Sequence, residues 1–509
     1  MATRQGRCTN FGNCGVADKR QVITVPQGAD FVCPEDGRAL TEIGSQAPKR
    51  NNTLVFAVVA VVVLLFGFVT WKKFGGSAPG SATGGGGLAG THNAILRLSG
   101  SNTIGASLGP SLAEAFLKDQ GATDVRVLPG ANPEEKVVQG VMPGDTSASV
   151  IKISAHGSAT AFTDLADDNC DIGMASRRIK PDEATKLSSL GDMYSAASEH
   201  VLGLDGIAVI VNAGSPVSAL GKDQIMKIFS GDFPDWSQVS ASHGAIKIYA
   251  RDDKSGTFDT FKSLVLAGKP LAPGAQRFED SNALSEAVAS DTNGIGFVGL
   301  PYVHSAKAIA VSERGARALQ PNRLTVATED YPLSRRLYLY SPANPQNRFT
   351  RKFVEFALSK QGQDVVGNSG FVAQNVTPQS QAVAEGAPLE YKQLTQGAER
   401  LSLNFRFRTG KSDLDNKAIV DVDRVVTFIA DLRYTGDKIL LFGFADSTGT
   451  REGNNALSLN RAKIVEDQFI QRGLKPAVVR GFGSDLPVAS NDTDEGREKN
   501  RRVEIWVKK

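Results

Sequence analysis

What this sequence of 509 residues lacks narrows its function first. It has no surplus of charge: 57 Lys plus Arg against 54 Asp plus Glu leave a formal +3, which excludes the basic footprint of a nucleic-acid binder. Cysteine is scarce, four in all, and Cys8, Cys14 and Cys33 fall within the first 45 residues. Cys170 is left without a partner in its own part of the chain and reads as buried and inert. Long apolar runs are missing with one exception, Thr53 to Trp71. The hydrophobic fraction of 41% is ordinary for a globular chain, and the length exceeds what one core serves, so several domains are expected.

The exception, TLVFAVVAVVVLLFGFVTW, holds no charged residue and at about 1.5 Å per residue is long enough to cross a bilayer as a helix. A cleaved signal peptide would start with a short basic stretch, whereas 52 residues precede this run. Arg4, Arg7, Lys19, Arg20, Arg38, Lys49 and Arg50 lie before it, against Lys72 and Lys73 after it, so the N-terminus is expected in the cytoplasm and the bulk outside. The Gly/Ser/Ala-rich stretch that follows, within residues 72–93, cannot bury enough surface to fold. It reads as a tether; roughly 17 such residues reach on the order of 20–25 Å. A phosphate-binding Gly loop is excluded because the Lys-Ser/Thr pair and the following helix are missing.

Residues 1–45 place CTNFGNC eighteen residues before CPEDG. Thiolates bind zinc well, and a turn of Pro and Gly beside the metal normally carries the second pair of ligands. The segment resembles a zinc ribbon in which the last cysteine is replaced, giving Cys8, Cys14, Cys33 and Asp36 as the candidate set. Two readings stand: a zinc site, or a ribbon without metal held by apolar contacts alone.

From 94 to 375, short apolar runs alternate with amphipathic stretches, an α/β pattern without a catalytic constellation. GASLG at Gly105–Gly109 fits the hydrolase elbow around Ser107, but that motif needs a strand directly before the serine. Three loops share one chemistry: SGSNTIG from Ser99, HGSATAF from His156 and ARDDKSGTF from Ala250, each rich in small hydroxyl residues and each leading into a predicted helix. Free backbone N–H groups at a helix start and the positive end of its dipole favour an anion, although each loop could equally be a plain N-cap.

Through DIGMASRRIKPDE, IAVIVNAGSPVSALGKDQIMKIFSGDFPDWSQV and RDDKSGT, this region resembles the substrate-binding proteins of phosphate ABC transporters. The resemblance implies a two-lobed α/β periplasmic-binding-protein fold and phosphate donors at Thr103, Ser158, Arg251, Ser255, Gly256 and Thr257, with Asp253 orienting Arg251. Where some members place a proton-accepting Asp after Ser176, this sequence has Arg177. The ligand implied is phosphate or a similar oxyanion.

Residues 376–398 read as a polar linker, and 399–509 as strand, helix, strand, helix and two strands. Through GFADSTG, NNALSLNRA and GFGSDLPVASNDTDEGREKNRRVEI, this α+β part resembles the OmpA C-terminal domain. The resemblance implies that Asp446 and Arg461 hold the diaminopimelate of the peptidoglycan stem peptide, inside a pocket of Thr448, Gly449, Asn454, Leu457 and Ser458. One acid and one guanidinium suit a group bearing both an ammonium and a carboxylate. Flagellar stators also join one span to such a domain, but they need an intramembrane carboxylate, which residues 53–71 lack.

The sequence therefore predicts a multidomain, single-pass protein of the inner membrane, with its C-terminal domains in the periplasm, binding peptidoglycan and an oxyanion and not acting as an enzyme. A structural tether with a non-binding middle domain is the alternative.

Overall fold

The computed structural model describes residues 3–7, 21–26, 28, 30–34, 40–42, 94–241, 243–253, 255–408 and 413–508. The predicted span at 53–71, the tether at 72–93 and the candidate ligands Cys8, Cys14 and Asp36 lie outside the described residues. Among the described residues no helix is long and apolar enough to cross a membrane, and no cluster of three metal-ligating side chains occurs.

The chain divides into two compact units, residues 1–91 and 92–509. In the first, β1 (Thr3–Arg7) pairs antiparallel with β2 (Val22–Pro26) and with β3 (Thr41–Glu42). A small apolar core of Val25, Cys33 and Leu40 packs against Ile23 and Phe31.

In the second unit the middle domain is built on one large mixed sheet. One half centres on β4 (Ala94–Gly100), parallel to β5 (Ala148–Ser154) and β6 (Ile172–Ala175). The other half holds β8 (Lys247–Arg251), parallel to β9 (Gly294–Gly299). Between them run β7 (Glu199–Val211) and β10 (Ser334–Tyr340), paired antiparallel. Each half buries its own core, around Phe116 and Phe353 in the first and around Phe229, Phe261 and Phe297 in the second. β7 contributes to both cores, Leu202 to one and Ile207 to the other, while β10 gives Leu337 to the first and Leu333, directly before it, belongs to the second. The domain is thus two lobes joined by two continuous strands, a hinge architecture.

The C-terminal domain carries β11 (Ala398–Arg406), β12 (Ile439–Gly443), β13 (Val478–Gly481) and β14 (Arg502–Lys508) in the order β11-β14-β12-β13. The expected strands and helices occur in the expected order, with one further helix, Asp494–Asn500, before the last strand. Two long helices, Asn416–Asp431 and Arg451–Ile470, cover one face through Val422, Val425, Val465 and Phe469. The opposite face is covered by the helix Leu389–Thr395, whose Tyr391 packs on Phe442, Phe444, Phe482 and Trp506. The expectation of a linker over 376–398 is corrected here: Pro378–Gln379 pair with β11, and the aromatic cluster draws the following turn and helix into the domain.

This domain docks on both lobes of the middle one. Arg400 pairs with Asp330 at 2.9 Å and Lys499 donates to the Pro332 carbonyl at 2.9 Å, both on the second lobe. Asn416 donates to Glu199 at 3.0 Å and Arg424 to Gln374 at 3.0 Å on the first. Asp415 pairs with Arg336 of β10 at 2.8 Å.

Candidate functional site

Each of the three hydroxyl-rich loops opens a helix as expected: α1 (Asn102–Gly105), α2 (Ser158–Ala166) and α3 (Gly256–Phe261). They follow the C-terminal ends of β4, β5 and β8, the edge of an α/β sheet where ligands usually bind. Backbone bonds tie two of the loops to their neighbours: Gly157 donates to the Gly100 carbonyl, and Ser101 to that of Met174, both at 2.8 Å.

The loops converge. A Cβ on Gly256 would lie 2.8 Å from Thr103 Oγ1, 3.3 Å from Ser176 Oγ and 3.7 Å from Ser101 Oγ. No side chain fits there, so three hydroxyls and a backbone meet at one point. Ser158 Oγ stands 3.1 Å from Ser176 Oγ and accepts the Ser176 amide hydrogen at 3.0 Å. Of the residues before these helices only Ser255 caps, accepting from the Phe258 amide at 3.4 Å. Ser101 Oγ is buried without a hydrogen-bond partner among the described residues, which plain capping does not explain.

Thr103, Arg251, Ser255, Gly256 and Thr257 line one cavity of about 360 Å³ between the lobes, together with Asp205. Arg251 is anchored to the far wall, donating to the carbonyls of Glu279 at 2.6 Å and Phe278 at 3.2 Å and to the Ser281 hydroxyl. Burial pushes its pKa below the usual arginine value, against the pull of Asp252 and Asp280. Asp253 does not orient it: that carboxylate is exposed and pairs with Arg277 at 2.6 Å, so the expected Asp253–Arg251 contact is replaced. Arg177 is held bidentately by Glu183 at 2.6 and 2.8 Å over the Phe162 ring, and it does not line the cavity.

The central cation is one the sequence reading passed over. Arg335 of β10 donates to the Gly256 carbonyl at 2.7 Å, to Thr103 Oγ1 at 3.3 Å and to Thr257 Oγ1 at 3.5 Å, thereby touching both lobes. Its guanidinium also pairs with Asp205 of β7. The signal was present: an acid in LGLDGIAVIV and arginines in SRRLYLY interrupt apolar strands, and buried charges must be paired. Asp205 Oδ1 has no hydrogen-bond partner among the described residues.

In the C-terminal domain, a Cβ on Gly443 would meet the Ser458 carbonyl at 2.0 Å, so this glycine lets the helix Arg451–Ile470 lie directly on β12. That contact sets Arg461 beside the loop after β12. Asp446 accepts the Thr448 amide at 2.9 Å and pairs with Arg501 at 2.9 Å. Burial raises its pKa, but Arg501 and Thr448 outweigh burial and hold the carboxyl below its ordinary value. Arg461 is 8% exposed and makes one long bond, to the Phe444 carbonyl at 3.4 Å, beside the Phe407 ring. Burial, then repulsion from Arg501, brings its pKa down to about 10 despite Asp446. Among the described residues Asp446 is bonded by Arg501 and not by Arg461, which leaves the Arg461 guanidinium with capacity for an incoming carboxylate. Thr448, Gly449 and Leu457 are exposed around this pair and Asn454 is buried. Ser458 points inward, bonding the Asn455 carbonyl and the Gly483 amide, both at 2.9 Å. Arg501 is a residue the sequence reading did not single out; its neighbours serve the fold, Asn500 holding the Val488 and Ala489 amides and Arg502 pairing with Glu504.

Ser107 follows a helical turn and precedes the helix Leu108–Asp119, not the strand end a hydrolase elbow requires. Cys170 is buried, and burial pushes its thiol pKa well up, as inertness requires.

The model of the PBP superfamily domain matches residues 91–361, more than half of the chain, and that of the OmpA family matches residues 406–501. The phosphate-binding protein PstS of Staphylococcus saprophyticus is 28% identical over 319 residues, 60% of this chain and 90% of that protein. PstS of Pseudomonas aeruginosa is 28% identical over 240 residues, 44% and 73% of the two chains. Among solved structures, an ABC-type phosphate transport receptor from Vibrio cholerae covers 54% of this chain and 99% of its own, at 22% identity and a TM-score of 0.43.

Proposed function

Starting from the premise that the chain belongs to the PBP superfamily through residues 91–361, we propose that it is a cell-envelope binding protein that takes phosphate or a similar oxyanion in its middle domain and peptidoglycan in its C-terminal domain. The observation that carries the reading is the meeting of the Thr103, Ser176 and Ser101 hydroxyls at Gly256 above the Arg335 guanidinium. Preorganised donors around a buried cation suit a compact anion.

Asp205 sharpens the choice of anion. A carboxylate oxygen beside the cavity accepts a hydrogen bond from an oxyanion that carries a proton and repels one that does not. Hydrogen phosphate fits better than sulfate.

In the C-terminal domain Asp446 would take the ammonium of diaminopimelate, and Arg461 with Arg501 its carboxylate. The Thr53–Trp71 run would anchor the chain in the inner membrane, N-terminus inside, with both domains in the periplasm. Zinc at Cys8, Cys14, Cys33 and Asp36 stays a proposal from sequence alone.

Calorimetry of the full chain with phosphate tests the first half of the proposal, and cosedimentation with peptidoglycan sacculi the second. A structural tether with an inert middle domain has one observation in its favour, the Arg251 guanidinium already bonded to its own wall. That reading predicts no heat with phosphate and intact sedimentation.

A further inference from the structure

A second cavity, of about 160 Å³, lies at the seam between the C-terminal domain and the Gly315–Arg317 turn of the second lobe. Its size matches that of cavities, about 150 Å³, that hold benzene. One wall is apolar, formed chiefly by Tyr391, Trp506, Leu486 and Val383; the other carries Arg317, Arg400, Arg502 and Glu504.

The charged groups do not balance. Glu504 is fully engaged: Arg502 donates to it at 2.8 and 3.0 Å, Tyr391 at 2.7 Å and Trp506 at 3.2 Å, and Arg400 pairs with it at 3.4 Å. Asp330 is taken by Arg400 and by Asn404, both at 2.9 Å. Against these two carboxylates stand three guanidiniums. Arg400 and Arg502 are each 1% exposed, yet Arg400 Nε and Arg502 Nη1 have no hydrogen-bond partner among the described residues. Arg317 is exposed and forms no ion pair among the described residues. The Arg502 guanidinium also lies 4.0 Å over the Phe444 ring, but buried guanidinium nitrogens without acceptors are costly, and with the surplus of positive charge they favour an anionic occupant.

We propose that this seam is a binding site for a small monocarboxylate with an apolar body. A cation is excluded by the surplus of positive charge, and a neutral apolar molecule would leave the guanidiniums as they are. A phosphate would set a strongly hydrated ion against the aromatic wall, whereas a planar carboxylate matches the guanidinium fork and lets its body cover Trp506 and Tyr391. Because the cavity is shared by two domains, the ligand would strengthen their docking by mass action. The site does not depend on the anion assigned to the cleft.

The test is calorimetric titration of the full chain with sodium benzoate. The expected result is saturable binding at one site per chain, not displaced by excess phosphate and at least tenfold weaker for benzyl alcohol, which has the ring without the charge. Arg317→Ala, at an exposed position, and Ala382→Trp, which fills the mouth, should each weaken benzoate at least tenfold. No saturable heat, or affinity unchanged in both variants, would overturn the proposal and leave the cavity to water; displacement by phosphate would assign the binding to the cleft and overturn it equally.

Discussion

Arg335 and Asp205 are register partners on the two strands that join the lobes, their charged groups 2.6 Å apart and both buried, with Asp205 lining the cleft. The pair sits where bending must occur and bonds outward to Thr103 of one lobe and Gly256 of the other. Electrostatics of the site and geometry of the hinge thus reside in the same two side chains.

Removing the cation alone should therefore damage both properties. Arg335→Ala leaves Asp205 buried without its counter-charge, which typically costs about 3–5 kcal/mol. Urea unfolding should show that loss, and calorimetry should show phosphate binding abolished in the fraction that still folds.

The carboxylate should govern selectivity more than affinity. Asp205→Asn keeps the shape but loses the repulsion toward a fully ionised anion. Sulfate, which the account expects to compete weakly with phosphate in the parent protein, should compete at least tenfold better in the variant. Unchanged competition would assign discrimination elsewhere.

Acid should loosen the docked domains. Burial raises the Glu329 pKa, but Arg336, Arg406 and Lys417 outweigh it and bring it down to about 2, below its ordinary value of 4.5. A carboxyl depressed on folding contributes stability that is complete above the unfolded value and is lost as pH falls through the folded one. The urea midpoint should thus fall between about pH 4.5 and 2, and Glu329→Gln should flatten that part of the profile.

At the C-terminal site, Asp446→Ala and Arg461→Ala should each release the full chain from sacculi containing diaminopimelate. Arg501→Ala should weaken sedimentation less, because Arg461 remains to meet the ligand carboxylate. Equal sedimentation of all three variants would remove the assigned pocket.

Much of this was legible in the residues. Period-two and helical patterns gave the C-terminal elements in order, and the Gly/Ser/Thr loops announced three helix starts that the structure brings together. What stayed hidden depends on contacts distant in sequence. Arg335 is 79 residues from the Gly256 carbonyl it bonds, so no local motif marks it. Asp253 lies next to Asp252 near Arg251 in sequence, yet the strand pairing of Tyr249–Arg251 with Gln276–Phe278 brings Arg277 to it instead. The segment 376–398 reads as a linker because its aromatic anchor, Tyr391, and its strand pairing at Pro378–Gln379 find their partners in residues that follow it in the chain.

A structure determined from crystals grown with millimolar phosphate tests the central claim most directly. The account predicts tetrahedral density between the lobes, within hydrogen-bonding distance of Thr103 Oγ1, Ser176 Oγ and the Gly256 amide. A folded protein whose cleft holds only water at that concentration would contradict it.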